Sequence, residues 1–255
     1  MIASRTALVA LLLALGCDAG TGGRRVLFDL EVIPAGTSSF HTSSGWDVAL
    51  TEACISVGPL YLYAGEPTAT RTPFYDLLVP SAHAHPGVDH FAGGEARGEW
   101  LFSIAIDTIA ASPIHLGPVR GIAGSVRTVT LNITPPRPTT LGPVDCLRGH
   151  QAYVVGTARR DTTIVEFEGG LDIEVTGNRQ RIQIPAQVEL DDGATVGIVA
   201  DPRSWLDEAQ FDQLPAAVPG GRSLIGPDTQ PRTAWFLGVQ RERAFGARAR
   251  FGASQ

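Results

Sequence analysis

Residues 83 to 90 read His-Ala-His-Pro-Gly-Val-Asp-His, so three of the chain's six histidines fall in one short stretch. Successive side chains alternate along an extended backbone, which puts the His83 and His85 imidazoles on one side. Pro86-Gly87 favours a turn directly after them and can swing His90 back toward the pair. Asp89 can ligate, or orient an imidazole through its second nitrogen. His115, beyond the apolar stretch that begins at Glu99, is a fourth candidate ligand, and His41 a fifth. Imidazole nitrogen suits copper and zinc. The expected centre is therefore His83, His85, His90 and His115 around a copper ion, with zinc as the alternative. The single Met is the first residue, which leaves no thioether ligand. The competing reading is an exposed His-rich loop that holds no metal.

The elements that must position this cluster read as strands. Arg25–Ile33, Trp46–Val57 and Leu60–Tyr63 have strand composition, the last two separated by Gly58-Pro59. A region over 66–90 broken by four prolines comes next, and Glu99–Ile109 and Val126–Ile133 follow it. Pro135–Pro143 reads as a linker or long crossover. Ala152–Ala158, Thr162–Phe167 and Leu171–Val175 come next. Arg181–Leu190 and Ala194–Ala200 flank an Asp191-Asp192-Gly193 turn, the signature of a hairpin. Asp201-Pro202 has the form of a helix cap, and Trp205, Leu206 and Ala209 would give one short helix near 202–214 an apolar face. Thr233–Val239 and Ala244–Phe251 read as closing strands. The 29 Gly and 18 Pro recur along the whole chain and argue against long helices. The expected fold is all-β, an immunoglobulin-like or larger antiparallel β-sandwich over residues 24–255. One compact unit is expected, with a subdivision near 135–145 as the alternative. Trp46, Trp100, Trp205 and Trp235 lie in apolar patterns, as core residues or as the platform of a carbohydrate-binding sandwich.

The N-terminus sets the compartment. Arg5 precedes the apolar run Thr6–Leu15, which is far shorter than the ~20 residues that span a bilayer. Ala14-Leu15-Gly16-Cys17 then resembles the lipobox of bacterial lipoproteins. The resemblance implies a signal peptide over 1–16, cleavage before Cys17, and lipidation of that cysteine. Residues 17–23 form a Gly-rich tether. The chain would sit at the cell envelope, on its periplasmic or extracellular face, with the membrane as partner through its lipid.

An exported chain meets an oxidising compartment. With Cys17 lipidated, Cys54 and Cys146 remain, and a disulfide is their simplest pairing. A rival use of Cys146 exists. Cys146-Leu-Arg-Gly-His150-Gln151 resembles the Cys-to-His spacing of blue-copper cupredoxins. That resemblance implies copper held by Cys146 and histidine, with Gln151 in the axial place usually taken by Met.

Composition excludes other classes. The net charge of −6 and the absence of a basic cluster argue against a nucleic-acid partner. Every one of the 20 basic residues is Arg, which removes Schiff-base and P-loop lysine chemistry. No nucleophile elbow, His-Glu-x-x-His or Cys-x-x-Cys motif occurs. Glu166/Glu168 and Asp172/Glu174 read as solvated strand faces. The sequence therefore points to a lipid-anchored binding protein, not an enzyme. Its first function is metal binding, with a metal-delivery or redox partner protein. A structural or interaction role without metal is the alternative.

Several acyl chains at ~0.8 kcal/mol per buried CH2 would make the anchor firm. Cys17→Ser is accordingly expected to release the protein from membranes. Sedimentation with membranes after a high-salt wash would show that Cys17 is not the anchor.

Overall fold

The computed structural model describes residues 23–66 and 95–250. The protein is all-β and sandwich-like, a thirteen-stranded sheet with one α-helix among the described residues. Its longest strand, β3 (Asp47–Tyr63), organises the rest. Before Gly58-Pro59, β3 pairs with β8 (Ala152–Arg160) on one edge. On its other edge lie β2 (Ser39–His41) and β5 (Ile104–Asp107). β8 carries β9 (Thr163–Leu171), which carries the two-residue β12 (Ser223–Leu224). After Gly58-Pro59 the neighbours change to β4 (Ala96–Trp100) and β7 (Gly124–Ile133).

From that second half the pairing closes on itself. It runs β3, β4, β6 (Ile114–Ile122), β1 (Arg25–Pro34), β11 (Thr195–Ala200), β13 (Phe245–Arg250), β10 (Gln180–Leu190), β7 and back to β3. Alternate residues point inward: Val26, Phe28, Leu30 and Val32 of β1, Ile184, Ala186, Val188 and Leu190 of β10, Val196 and Ile198 of β11. The narrowest joint is the single pair Gly98–Gly121 between β4 and β6. A Cβ on Gly121 would stand 2.6 Å from the Arg97 carbonyl and 2.8 Å from the Phe28 ring, so glycine lets these strands meet over Phe28.

One buried cluster joins residues from both sides of the Pro135–Pro143 segment. That segment packs along β5 through an Ile104–Leu141 bridge and an Ala105 N–H to Leu141 carbonyl bond. Trp46, Trp205 and Trp235 are fully buried and Trp100 nearly so, which places all four indoles in the core rather than on a surface platform.

Four local expectations need correction. Most pairings are antiparallel, but β1–β11, β10–β13 and β9–β12 are parallel. The helix expected near 202–214 is instead two 3-10 turns, Pro202–Ser204 and Phe211–Gln213. Asp201 does cap the first, but tertiary partners take the backbone a helix would use: Ser44 binds the Asp207 and Ala209 carbonyls, and Gln230 binds the Gln210 N–H and Glu208 carbonyl. The α-helix is α1 (Gln230–Val239), where a strand over Thr233–Val239 was expected. Thr229 caps it and Pro231 occupies its first turn. A short apolar run such as Ala-Trp-Phe-Leu does not distinguish helix from strand by periodicity. Finally, the two strands beside Asp191-Asp192-Gly193 do not pair with each other, because β13 lies between them. The turn itself forms, closed by the Ala194 N–H to Asp191 carbonyl bond.

Cys54 and Cys146 form the expected disulfide, with Cα atoms 6.0 Å apart and 92 residues of separation. It ties β3 to the 3-10 turn Val144–Leu147 over a small apolar patch with Ala105 and Leu147. On the chain-entropy account a loop of this length is worth up to about 4–5 kcal/mol. We expect no free thiol at these positions without reductant, and a loss of stability of that order in Cys54→Ala/Cys146→Ala by denaturant unfolding. Reactive thiols there in the unreduced protein, or unchanged stability in the variant, would contradict this.

Candidate functional site: a cleft at the break in β3

Gly58-Pro59 is where β3 exchanges partners on both edges. On one edge, Trp100 pairs with Leu60 and Ile104 with Val57. Three residues, Leu101, Phe102 and Ser103, must therefore pass two on β3, and they loop outward. Gly58 permits this approach: its φ is +129°, and a Cβ there would lie 2.1 Å from the Phe102 carbonyl. On the other edge β7 ends at Ile133 opposite Val57, and β8 begins at Ala152 opposite Ile55. The chains diverge at this handover, and a cleft of about 720 Å³ opens.

Its floor is Gly58, Pro59 and Tyr61 of β3 with Asn132 and Thr134. One wall is Leu101–Ser103. The others are Pro135–Thr139 and Val175–Gln180. Each wall is tied down. The Ser103 and Thr140 hydroxyls are 2.8 Å apart, and Thr140 accepts from the Arg137 N–H at 2.9 Å. Arg179 donates to the carbonyls of Ile173 and Glu174, and Gln240 donates to the Asn178 carbonyl. Gln180 pairs with Asn132 across β10 and β7. The site is thus held in shape by bonds that need no ligand. At its mouth Leu101, Phe102 and Val175 are each more than 60 % exposed, an unusual concentration of large apolar side chains in water. The Tyr61 phenol is pushed above its ordinary pKa, first by burial and second by the Glu99 carboxylate.

A second polar cluster lies where β3, β8 and β9 meet the Val144–Leu147 turn. Arg148 binds both carboxylate oxygens of Glu52 at 2.8 Å and sits 4.5 Å over the Tyr153 ring. His150 stacks on Tyr153 and contacts Asp172 at 2.6 Å. Glu168 lies between Arg148 and Arg222. Here each charge has an opposite partner, so the cluster satisfies itself.

The sequence-expected ligands fall as follows. His83, His85 and His90, with Asp89, lie outside the described residues, as does Cys17. His115, on β6, is exposed and stands 3.8 Å from the buried Glu31 carboxylate. His41 contacts Asp47 at 2.9 Å. The structure brings neither together with His150, and among the described residues no group of three potential ligands could hold a metal. The cupredoxin-like use of Cys146 is overturned, because its sulfur is spent on Cys54. Gln151 is equally committed: its amide is buried, accepting from the Ile173 N–H and donating to the Ile173 carbonyl.

Sequence reading missed the cleft. The composition of Glu99–Ile109 reads as one strand and that of Pro135–Pro143 as a linker or long crossover, and neither reading shows a cavity. The available signal was Trp100-Leu101-Phe102, three consecutive apolar residues that break alternation opposite the Gly58-Pro59 pair. Comparison with protein families, curated proteins and solved structures finds no match.

Proposed function

We propose that this protein is a lipid-anchored envelope protein that binds a small ligand in the cleft at the break in β3. The observation that carries this reading is the cleft itself. Ligand sites are typically concave, largely preformed, ~300–1,000 Å³ in volume, and lined by apolar groups with a few placed polar ones. A site of about 720 Å³ with Pro59, Leu101, Phe102 and Val175 beside Arg137, Arg179, Asn132 and Gln180 fits that description. The lipobox-like leader supports the anchor. Leu101 and Phe102 are exposed, so their replacement should spare the fold. In the full chain carrying Cys17→Ser, Leu101→Ser/Phe102→Ser should weaken binding of 1-anilinonaphthalene-8-sulfonate roughly tenfold or more, from lost apolar contact. Equal fluorescence titrations of the two proteins would remove the cleft from consideration.

A second reading has its own observation, the His83-x-His85-x4-His90 spacing. In it the chain binds one copper ion, or zinc, through His83, His85, His90 and His115, and passes it to a metal-delivery or redox partner. Imidazole must be neutral to ligate, so affinity should fall as pH drops below about 6.5. Calorimetric titration is expected to show His83→Ala/His85→Ala binding at least ~10–100-fold more weakly. Equal affinities would release these histidines from the role, and no stoichiometric binding of either metal would end this reading.

A further inference from the structure

We infer that the β3 cleft selects a small amphiphile: an anionic head group on an apolar body. The inference rests on the cleft being a binding site, and adds the class of ligand. Its basis is the charge of the cleft lining. Other arginines, Arg159 among them, also lack an ion pair among the described residues, but Arg137 and Arg179 stand together at one concave, partly apolar site with no acidic residue in its lining. Arg24, Arg97, Arg127, Arg148, Arg160, Arg203, Arg222 and Arg241 each stand within ion-pair distance of a carboxylate. The two arginines lining the cleft have no such contact among the described residues. Arg179 spends Nε and one terminal nitrogen on the Ile173 and Glu174 carbonyls, which fix the guanidinium in place without neutralising it. Arg137 is positioned through its backbone, by Thr140, and the cleft lining contains no Asp or Glu.

Two positive charges thus stand uncompensated at one concave site of a chain whose net charge is −6. A cleft with apolar walls strengthens their attraction for an anion relative to open water. The one acidic group known to act near the floor is Glu99, which works on the Tyr61 phenol and is not part of the lining. Asn132, Gln180 and the Thr134, Thr139 and Thr176 hydroxyls supply further donors to an oxyanion. Opposite them, Pro59, Leu101, Phe102 and Val175 offer apolar surface. Guanidinium forks bind carboxylate and phosphate oxygens alike. The shared chemistry is therefore an oxyanion on a hydrocarbon or aromatic body, whether a carboxylate such as a fatty acid or a phosphate monoester.

The experiment is a calorimetric titration of the full chain carrying Cys17→Ser with single-chain ten-carbon amphiphiles below their micelle concentrations. Decanoate and decyl phosphate supply the two anionic heads, 1-decanol the neutral control, and decyltrimethylammonium the cationic one. At least one anion should bind about tenfold or more tighter than the alcohol and the cation, and its head group then names the source. Arg137→Gln/Arg179→Gln should remove that advantage and leave the alcohol unchanged, whereas Arg159→Gln on β8 should change nothing. Arg179 also supports a wall, so Arg179→Lys serves as the charge-preserving companion and should retain anion selectivity. Added salt should weaken the anion alone. Alcohol and anion binding equally would overturn the inference and leave the cleft a general apolar site. Anion binding indifferent to the arginines and to salt would overturn it too. Binding of none of the four would count against the cleft itself.

Discussion

A strand can serve two sheets only if its hydrogen-bonding edges change owner somewhere along it. In this protein that change is concentrated at Gly58-Pro59, and the architecture depends on it. Upstream, β3 is the spine of a layer with β2, β5, β8, β9 and β12; downstream, it is one stave of a closed ring. Proline offers no N–H to a ladder, and Gly58 supplies the φ and the empty Cβ position that the crossing carbonyl of Phe102 requires. The two layers share one core because the strand connecting them runs through both.

The cleft follows from the same constraint. At the handover Leu101–Ser103 bow outward on one side and β7 gives way to β8 on the other. Apolar side chains that regular pairing would have hidden, Leu101 and Phe102 among them, come to line a common space. The molecule then spends bonds on holding that space: the Thr140 clasp, the Arg179 brace and the Gln180–Asn132 pair. The outer cluster of Glu52, Arg148, Tyr153, His150 and Asp172 shows the opposite design, in which each charged group is answered by a neighbour. One arrangement faces inward on itself, and the other leaves its charge available.

The class of fold was legible because it depends on features local to the sequence. Alternation in Arg25–Ile33 and Val126–Ile133, and breakers throughout, name strands without knowledge of their partners. The disulfide was legible because the expectation of an exported chain with Cys17 lipidated leaves two cysteines and one simplest pairing. What escaped is what depends on neighbours distant in the chain. That β13 would enter between β10 and β11 is invisible at the Asp191-Asp192-Gly193 turn. The helix near 202–214 was unmade by Ser43, Ser44 and Gln230, residues remote in sequence that claim its carbonyls and amides. Ile114–Ile122 carries Gly117, Pro118 and Gly121 and has no strand signature, yet β1 and β4 on either side make it one. The cleft belongs to this second kind: no single segment encodes it, because it is the mismatch between three residues and two.

The position of β1 has a mechanical consequence. It is the first strand of the described chain, so a pull applied at Arg25 along the strand enters the fold through it. β1 is bonded on both flanks, antiparallel to β6 from Arg25 to Val32 and parallel to β11 from Asp29 to Pro34. A force on that end loads both ladders in shear, with many bonds resisting together, instead of peeling them apart in turn. Under the anchoring proposed above, a pull on the domain would be met by both ladders at once.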